Sequence, residues 1–169
     1  DRALRDNVAS YVGPMTTDDL RFWRKRRAEL EDSVHEAMAS MGYYSPTVGI
    51  EQDKGDIRIA VSPGEPVKVS RLRLVFQGEA GNDIAFTALR ESLPLKEGDV
   101  FHHGHYESLK ATVQALALER GYFEATWVRH EVVVDPARHA AEIDLVYGSG
   151  RRFVFGPVSF ENMDGQPQE

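Results

Sequence analysis

Two short stretches decide the fold of this chain: Met41-Gly42-Tyr43-Tyr44 and Arg120-Gly121-Tyr122-Phe123. Each places a glycine and an aromatic pair directly after a segment with the apolar spacing of an amphipathic helix. Glycine can adopt a positive φ and leave a helix sharply, and the aromatic side chains then cover the helix end. A signature that recurs at a fixed offset is typical of tandem repeats. The two stretches therefore predict two similar units in one chain.

The segments around the first stretch predict two helices and a β-hairpin. Apolar residues at helical spacing indicate helices over Ala3–Val12 and Leu20–Met41. Alternating apolar residues indicate strands over Thr47–Gln52 and Ile57–Val61, joined by a turn at Asp53–Asp56. The first unit therefore has the order helix–helix–strand–strand.

The second unit repeats this order with one additional strand at its start. Its predicted elements are a strand over Val67–Phe76, a helix capped by Asn82-Asp83, a helix over Gly104–Arg120, and strands over Phe123–Val134 and Ala141–Tyr147. We therefore predict an α+β fold with a first unit at residues 1–65 that lacks its opening strand, and a complete second unit at residues 66–150. Residues 151–169 are predicted to hold the opening strand of a third unit, over Phe153–Phe160.

The composition excludes several functional classes. Hydrophobic residues make up 41% of the chain and charged residues 28%, which is typical of a globular protein. The net charge of −7 disfavours a general nucleic-acid-binding protein, because such proteins carry a basic excess. The absence of cysteine excludes a disulfide framework and thiolate chemistry.

A series of motifs occurs in one order along the chain: Met41–Thr47, Gly98-Asp99, Tyr106–Lys110, Ala117–Phe123, Gly148–Phe153 and Phe155–Phe160. With the strand–helix–helix–strand–strand order, these motifs resemble the POTRA (polypeptide-transport-associated) domains of the BamA/TamA superfamily, and they are more similar to TamA than to BamA. The resemblance implies a three-stranded mixed sheet covered by two helices in each complete unit. A POTRA fragment of BamA or of a two-partner-secretion transporter is the alternative within this class.

The resemblance also implies a location and a function. POTRA domains stand in tandem in the periplasm and serve outer-membrane protein assembly or autotransporter translocation. The implied partners are a TamB-like protein anchored in the inner membrane and unfolded outer-membrane protein or autotransporter clients. The membrane barrel of such a protein is expected outside these 169 residues. The chain is therefore expected to act as a binding module and not as an enzyme.

Exposed sheet edges are the expected binding sites, because an extended polypeptide can pair there with free backbone groups. In the resembled family this edge is usually the second strand of each unit. The predicted partner-binding residues are Thr47, Val48, Gly49, Ile50, Thr126, Trp127 and Val128. Strict alternation predicts that Val128 and Val132 share one face of their strand, and that Trp127 and Val133 share the other. An edge without any partner is the alternative.

The densest cationic run, Arg21–Arg27, also contains two aromatic residues. Arg24 and Arg27 are predicted to dock a partner. Binding to lipid head groups or nucleic acid is a weaker alternative, because the chain as a whole is acidic. A solvated helix face, on which Glu29 and Glu31 pair with these cations, is a further alternative.

Three neighbouring histidines, His102, His103 and His105, are the one feature that favours a small metal-dependent enzyme. Structural zinc sites usually recruit four ligands from two places in the chain, and no cysteine completes such a set. The sequence contains no nucleophile elbow, phosphate-binding loop or dinucleotide fingerprint. We therefore interpret these histidines as the polar start of a helix and predict no cofactor.

Overall fold

The computed structural model describes residues 1–157, which form two units along the chain. The first consists of α1 (Arg2–Val12), α2 (Thr17–Phe22), α3 (Arg27–Ser40), β1 (Thr47–Asp53) and β2 (Asp56–Ser62). The second consists of β3 (Lys68–Gln77), α4 (Ile84–Glu91), α5 (His103–Glu119), β4 (Thr126–Asp135) and β5 (Ala140–Gly148). Within the described range, every helix is too short or too polar to cross a bilayer.

The single helix predicted over Leu20–Met41 is wrong. A 3₁₀ turn at Trp23–Lys25 separates α2 from α3, and Arg26 between them has φ −100° and ψ 7°. Residues 24–27, which follow Trp23, are all cationic and supply no large apolar side chain to the core at this turn. The indole ring instead enters the small core of the first unit, beside Leu30 and Ile50.

The predicted hairpin of the first unit is confirmed. β1 and β2 pair antiparallel from Thr47–Ser62 to Asp53–Asp56. The turn residues Lys54 and Gly55 have φ values of 52° and 96°, and positive φ at both central residues is what a type I′ turn requires. In the described part of the chain, this sheet has two strands.

The second unit has the predicted three-stranded mixed sheet covered by two helices. Its strand order is β3-β5-β4, with β3 parallel to β5 and β4 antiparallel to it. The helices α4 and α5 lie in the long connection between β3 and β4. Phe86 of α4 is fully buried, and its ring packs edge-on against Phe76 at 4.8 Å and Tyr122 at 5.7 Å. This aromatic cluster joins the sheet to both helices.

Two strand boundaries differ from the sequence prediction. The strand predicted from Phe123 begins at Thr126, because the chain first turns after α5 with an Ala125 N–H to Tyr122 carbonyl bond of 3.3 Å. Within the strand predicted over Phe153–Phe160, the described residues up to Pro157 have no regular secondary structure. The remainder of that strand lies outside the described residues, so the third unit stays a prediction.

A buried carboxylate ties the two helices of the second unit together. Asp83 caps α4 through the Ala85 N–H. It also accepts hydrogen bonds from Arg120 at 3.1 and 3.2 Å and from the Tyr122 hydroxyl at 3.1 Å. Burial alone would raise the pKa of Asp83, but these hydrogen bonds outweigh burial and lower that pKa below its usual value.

Replacing Asp83 by Asn sets an amide donor against donors from Arg120 and Tyr122. We expect Asp83→Asn to lower the free energy of unfolding by about 2–3 kcal/mol. Tyr122→Phe removes one donor and should cost about 1 kcal/mol. Urea denaturation measures both values. Equal losses in the two variants would show that the ion pair with Arg120 contributes little.

The two units meet at the glycine that follows α3. The Val67 N–H donates to the Gly42 carbonyl at 2.8 Å, and Tyr44 packs against the core of the second unit. Gly42 has φ +94°, and a Cβ there would lie 2.6 Å from Val100 Cγ1 and 2.8 Å from the Phe101 carbonyl oxygen. This position therefore needs glycine both for its conformation and for the approach of the next unit.

A matched pair of glycine variants separates these two requirements. Gly55 has φ +96° with nothing within 4 Å of an added Cβ. Gly55→Ala therefore measures backbone strain alone, about 1–2 kcal/mol. We expect Gly42→Ala to cost at least about 1 kcal/mol more, because it also overpacks the joint. Thermal unfolding of the two variants tests this, and equal costs would contradict a tight joint.

Candidate partner-binding site

The outer edge of β3 is occupied over its first residues. The Val69 N–H donates to the Asp99 carbonyl, and the Gly98 N–H donates to the Val69 carbonyl, both at 2.8 Å. The Phe101 N–H donates to the Val67 carbonyl at 2.8 Å. The loop before α5 therefore takes backbone groups that an added strand would need.

The opposite edge of the sheet, β4, has no strand beside its outer side in the described residues. Thr126, Val128 and the segment 129–131 are exposed. The Tyr106 hydroxyl donates to the His130 carbonyl at 3.1 Å, which fixes the middle of the strand to α5. Tyr106 thus holds β4 in position and occupies one of its carbonyl groups, while no strand pairs with the outer side of β4 in the described residues.

A bulge in β4 corrects the predicted faces of this strand. Trp127 pairs with Tyr147 and Arg129 pairs with Val146, so Val128 lies in the bulge without a register partner. The Trp127 ring packs edge-on against Tyr147 at 4.7 Å and joins the core. Trp127 therefore shares the core face with Val132, and the strict alternation predicted across the bulge is wrong. Val128 is 61% exposed.

The predicted residues of the first unit differ in accessibility. Thr47 is exposed at the start of β1, and Gly49 lies opposite Ala60. Val48 packs against the small core, and Ile50 is buried. The side chains of Val48 and Ile50 hold the hairpin to the helices. For these two residues, only the backbone groups are therefore candidates for partner contact.

An ion triad crosses the outer face of the second sheet, and the sequence alone did not reveal it. Asp144 on the central strand accepts hydrogen bonds from Arg129 at 2.8 Å and from Arg73 at 2.7 Å. These hydrogen bonds, first from Arg129 and then from Arg73, lower the pKa of Asp144. The triad ties three strands together, so Arg129 is a structural cation beside the open edge.

The cations of the run Arg21–Arg27 have different contacts in the structure. Arg27 pairs with Glu31 at 2.8 Å, as expected for a solvated helix face. The Arg24 guanidinium lies over the Trp23 ring, 5.9 Å from its centroid. Phe22 is 46% exposed, and the Arg21 guanidinium and the Lys25 ammonium each lie 5.4 Å from the centroid of its ring. Arg24 and Arg27 thus stay predicted docking residues.

Both units match families of known sequences. Residues 1–63 match the family described as POTRA domain TamA domain 1. Residues 73–147 match POTRA, described as surface antigen variable number repeat. The chain belongs to the POTRA family. The resemblance to POTRA domains of a TamA-like protein is therefore confirmed.

Solved POTRA structures resemble the chain at low identity. BamA POTRA domains 3–5 from Haemophilus influenzae are 20% identical over 75% of this chain and 51% of that one, with a TM-score of 0.46. POTRA domains 1–3 of Omp85 from Anabaena are 10% identical over 84% of this chain and 53% of that one, with a TM-score of 0.43. The chain spans about half the length of these two relatives.

The histidines of the second POTRA unit have structural contacts. His102 caps α5, its Nδ1 accepting the Gly104 N–H at 3.0 Å. Its ring stacks on His105 at 4.6 Å, and His103 lies 3.9 Å from Glu107. Among residues 1–157, no group of three or more potential ligands is arranged to hold a metal ion. The metal-dependent enzyme therefore gains no support from the geometry of this POTRA tandem.

The His102 cap predicts a pH-dependent stability. Burial lowers the pKa of His102, and the charges of His105 and His103 lower it further. His102 then binds fewer protons in the folded state than in the unfolded state. The stabilisation that the cap contributes is therefore complete above pH 6.5, the ordinary pKa of histidine, and is lost as the pH falls below it. Between pH 7.5 and 5.5 we expect a loss of roughly 1 kcal/mol or less, the contribution of one N-cap.

His102→Asn is the control, because asparagine caps helices without titrating. Thermal unfolding across the same pH range should show a smaller loss in this variant than in the natural chain. A pH dependence that is identical in both proteins would contradict the assignment of His102 as the titrating cap.

Proposed function

We propose that this POTRA tandem is a periplasmic docking module of an outer-membrane protein assembly machine, and that extended polypeptides bind it by adding a strand to β4. The observation that carries the proposal is the difference between the two sheet edges. The loop at residues 98–101 takes backbone groups of Val67 and Val69 at the start of the β3 edge, while β4 has no neighbouring strand in the described part of the chain. A new strand can therefore pair with β4 without displacing a loop, whereas pairing along the start of β3 requires the loop to move away.

Strand addition suits this function because main-chain hydrogen bonds place little demand on the sequence of the added segment. The bulge at Val128 increases the local twist of β4 and interrupts its ladder. Such a bulge protects an edge against uncontrolled aggregation and still leaves regular edge on its C-terminal side. A module that handles many unfolded clients benefits from both properties.

Because the first unit matches the family of the first TamA POTRA domain, we base the more specific proposal for clients and partner on TamA. We propose autotransporter or other outer-membrane proteins as clients and a TamB-like inner-membrane-anchored protein as partner, with the full-length protein in the bacterial outer membrane. A BamA or two-partner-secretion protein is the alternative source of such a tandem. Capture of a TamB-like protein, as opposed to unfolded clients alone, separates these assignments.

The test is a proline in the open edge. Val128→Pro removes a backbone donor at a bulge, where proline is tolerated, while Val128→Ala removes the side chain and keeps the N–H. We expect Val128→Pro to weaken binding of an unfolded outer-membrane client peptide by about tenfold, corresponding to 1.4 kcal/mol. Val128→Ala should change affinity by less than about threefold. Fluorescence anisotropy with a labelled client peptide measures both.

Circular dichroism and thermal unfolding must show that both variants retain the fold. Unchanged binding by folded Val128→Pro would contradict strand addition near this position. Equal losses in the two variants would assign the contact to the Val128 side chain instead of the backbone. Arg24→Ala, measured in parallel, reports whether the cationic helix of the first unit contributes to docking.

A further inference from the structure

Three cations accompany an exposed aromatic ring on the surface of the first POTRA unit. The Arg21 guanidinium and the Lys25 ammonium lie against the exposed Phe22 ring, each 5.4 Å from its centroid. The Arg24 guanidinium lies 5.9 Å from the centroid of the neighbouring Trp23 ring. These distances are within the range of cation–π attraction. We call Arg21, Phe22, Arg24 and Lys25 the cation–aromatic cluster.

The core of the first unit anchors this cluster through Trp23, which lies between its members in sequence. The indole ring is 8% exposed and packs in the small core of the unit. Its Nε1 donates to Gln52 Oε1 at 3.2 Å, and the Arg26 N–H donates to the Trp23 carbonyl at 3.0 Å. Because Trp23 is bound to the hairpin and its turn is closed, the exposed residues on either side of it are presented at defined positions.

The two remaining cations of the run have carboxylate partners. Arg26 pairs with Asp19 of α2 and with Glu29 of α3, at 2.8 Å in the second case. Arg27 pairs with Glu31, also at 2.8 Å. The charges of Arg26 and Arg27 are therefore balanced locally, and these side chains connect the helices on either side of the turn.

The cations of the cluster form no ion pair with a carboxylate among residues 1–157. A carboxylate is close in sequence, because Asp18 precedes Arg21 by three residues, a spacing at which ion pairs form on helices. The Arg21 guanidinium lies against the Phe22 ring instead. The cluster is therefore a local excess of positive charge beside an apolar ring, in a chain whose net charge is −7.

This combination fits a polypeptide segment that carries carboxylates next to an apolar side chain. Opposite charge draws such a segment to the cluster and selects it over neutral segments. Two of the three cations are arginines, whose guanidinium groups can bind a carboxylate through two parallel hydrogen bonds. The exposed Phe22 ring can at the same time contact the apolar side chain of the segment.

Exposed carboxylates on both flanking helices disfavour a broad anionic surface as the partner. Asp18 lies on α2, and Glu29 and Asp32 lie on α3. A membrane with acidic lipids extends over a wide area, so its head groups would also approach these carboxylates, and like charges repel. A single extended segment of polypeptide is narrow enough to contact the cluster alone.

We infer that the cation–aromatic cluster binds an acidic segment of a partner polypeptide. The site belongs to the first unit, and it does not depend on strand addition at β4 of the second unit. It also narrows the docking prediction for the cationic run. Arg24 is part of the site together with Arg21 and Lys25, whereas Arg27 is engaged with Glu31.

The test measures binding of a fluorescein-labelled peptide, in which Asp and Glu alternate with Phe, by fluorescence anisotropy. A peptide with Asn and Gln in place of the acidic residues is its matched control. The triple variant Arg21→Gln/Arg24→Gln/Lys25→Gln removes the three cations of the cluster. We expect this variant to bind the acidic peptide at least about tenfold more weakly than the natural chain, and Phe22→Ala to bind it about threefold more weakly.

A second triple variant controls for net charge. Arg2→Gln/Arg58→Gln/Arg138→Gln removes three exposed cations that pair with carboxylates elsewhere in the chain. It changes the net charge by the same amount and should weaken binding by less than about threefold. Val128→Pro should leave binding of the acidic peptide unchanged, which separates this site from the β4 edge. Circular dichroism must show that each variant is folded, and the single variant Arg24→Gln replaces the cluster variant if that protein does not fold.

Four results would overturn the inference. Equal binding of the acidic peptide and its amide control would show that charge does not select the segment. Equal losses in the two triple variants would assign the attraction to net charge and not to the cluster. A loss with Val128→Pro that matches the loss with the cluster variant would place the peptide at β4. Binding to phosphatidylglycerol vesicles, lost in the cluster variant, without binding to the acidic peptide would assign the cluster to a membrane surface.

Discussion

The hydrogen bond from the Val67 N–H to the Gly42 carbonyl is the contact on which the arrangement of this protein depends. It joins the end of the long helix in one unit to the start of the next unit, at a glycine whose positive φ turns the chain out of the helix. Any Cβ at this glycine would enter the second unit. Helix termination and inter-unit contact are therefore combined in one residue, and the repeat of the sequence motif has a direct physical cause.

The sheet topology then decides which surfaces remain available. Because β5 lies in the centre, both β3 and β4 are edges. The loop before α5 pairs with β3 and at the same time reaches the first joint through Val100 and Phe101. One loop thus occupies the start of one sheet edge and completes the contact between the two units. The outer side of β4 remains the sheet edge that no described loop or strand pairs with along its backbone.

The sequence predicted element order and the α+β fold well, because apolar periodicity and glycine-aromatic steps are local signals. The sequence-based prediction failed where contacts between residues distant in sequence determine the local structure. The break between α2 and α3 depends on Trp23 entering a core with Ile50, which is distant in sequence. The bulge that turns Trp127 toward Tyr147 depends on strand register, and so does the Asp144 triad. The family resemblance predicted which strand forms the binding edge, but it did not predict that a loop bonds to the start of β3.

The central position of β5 also governs how the second unit folds. β3 pairs in parallel with the last strand of its unit, from Lys68–Ala140 to Gln77–Gly148. A chain that emerges from its N-terminus can complete this sheet only after the whole unit has appeared, because the first strand must wait for the last. The second unit then folds as one cooperative block, with β3 exposed until that moment. β3 is thus the strand of the second unit that waits longest for its partner.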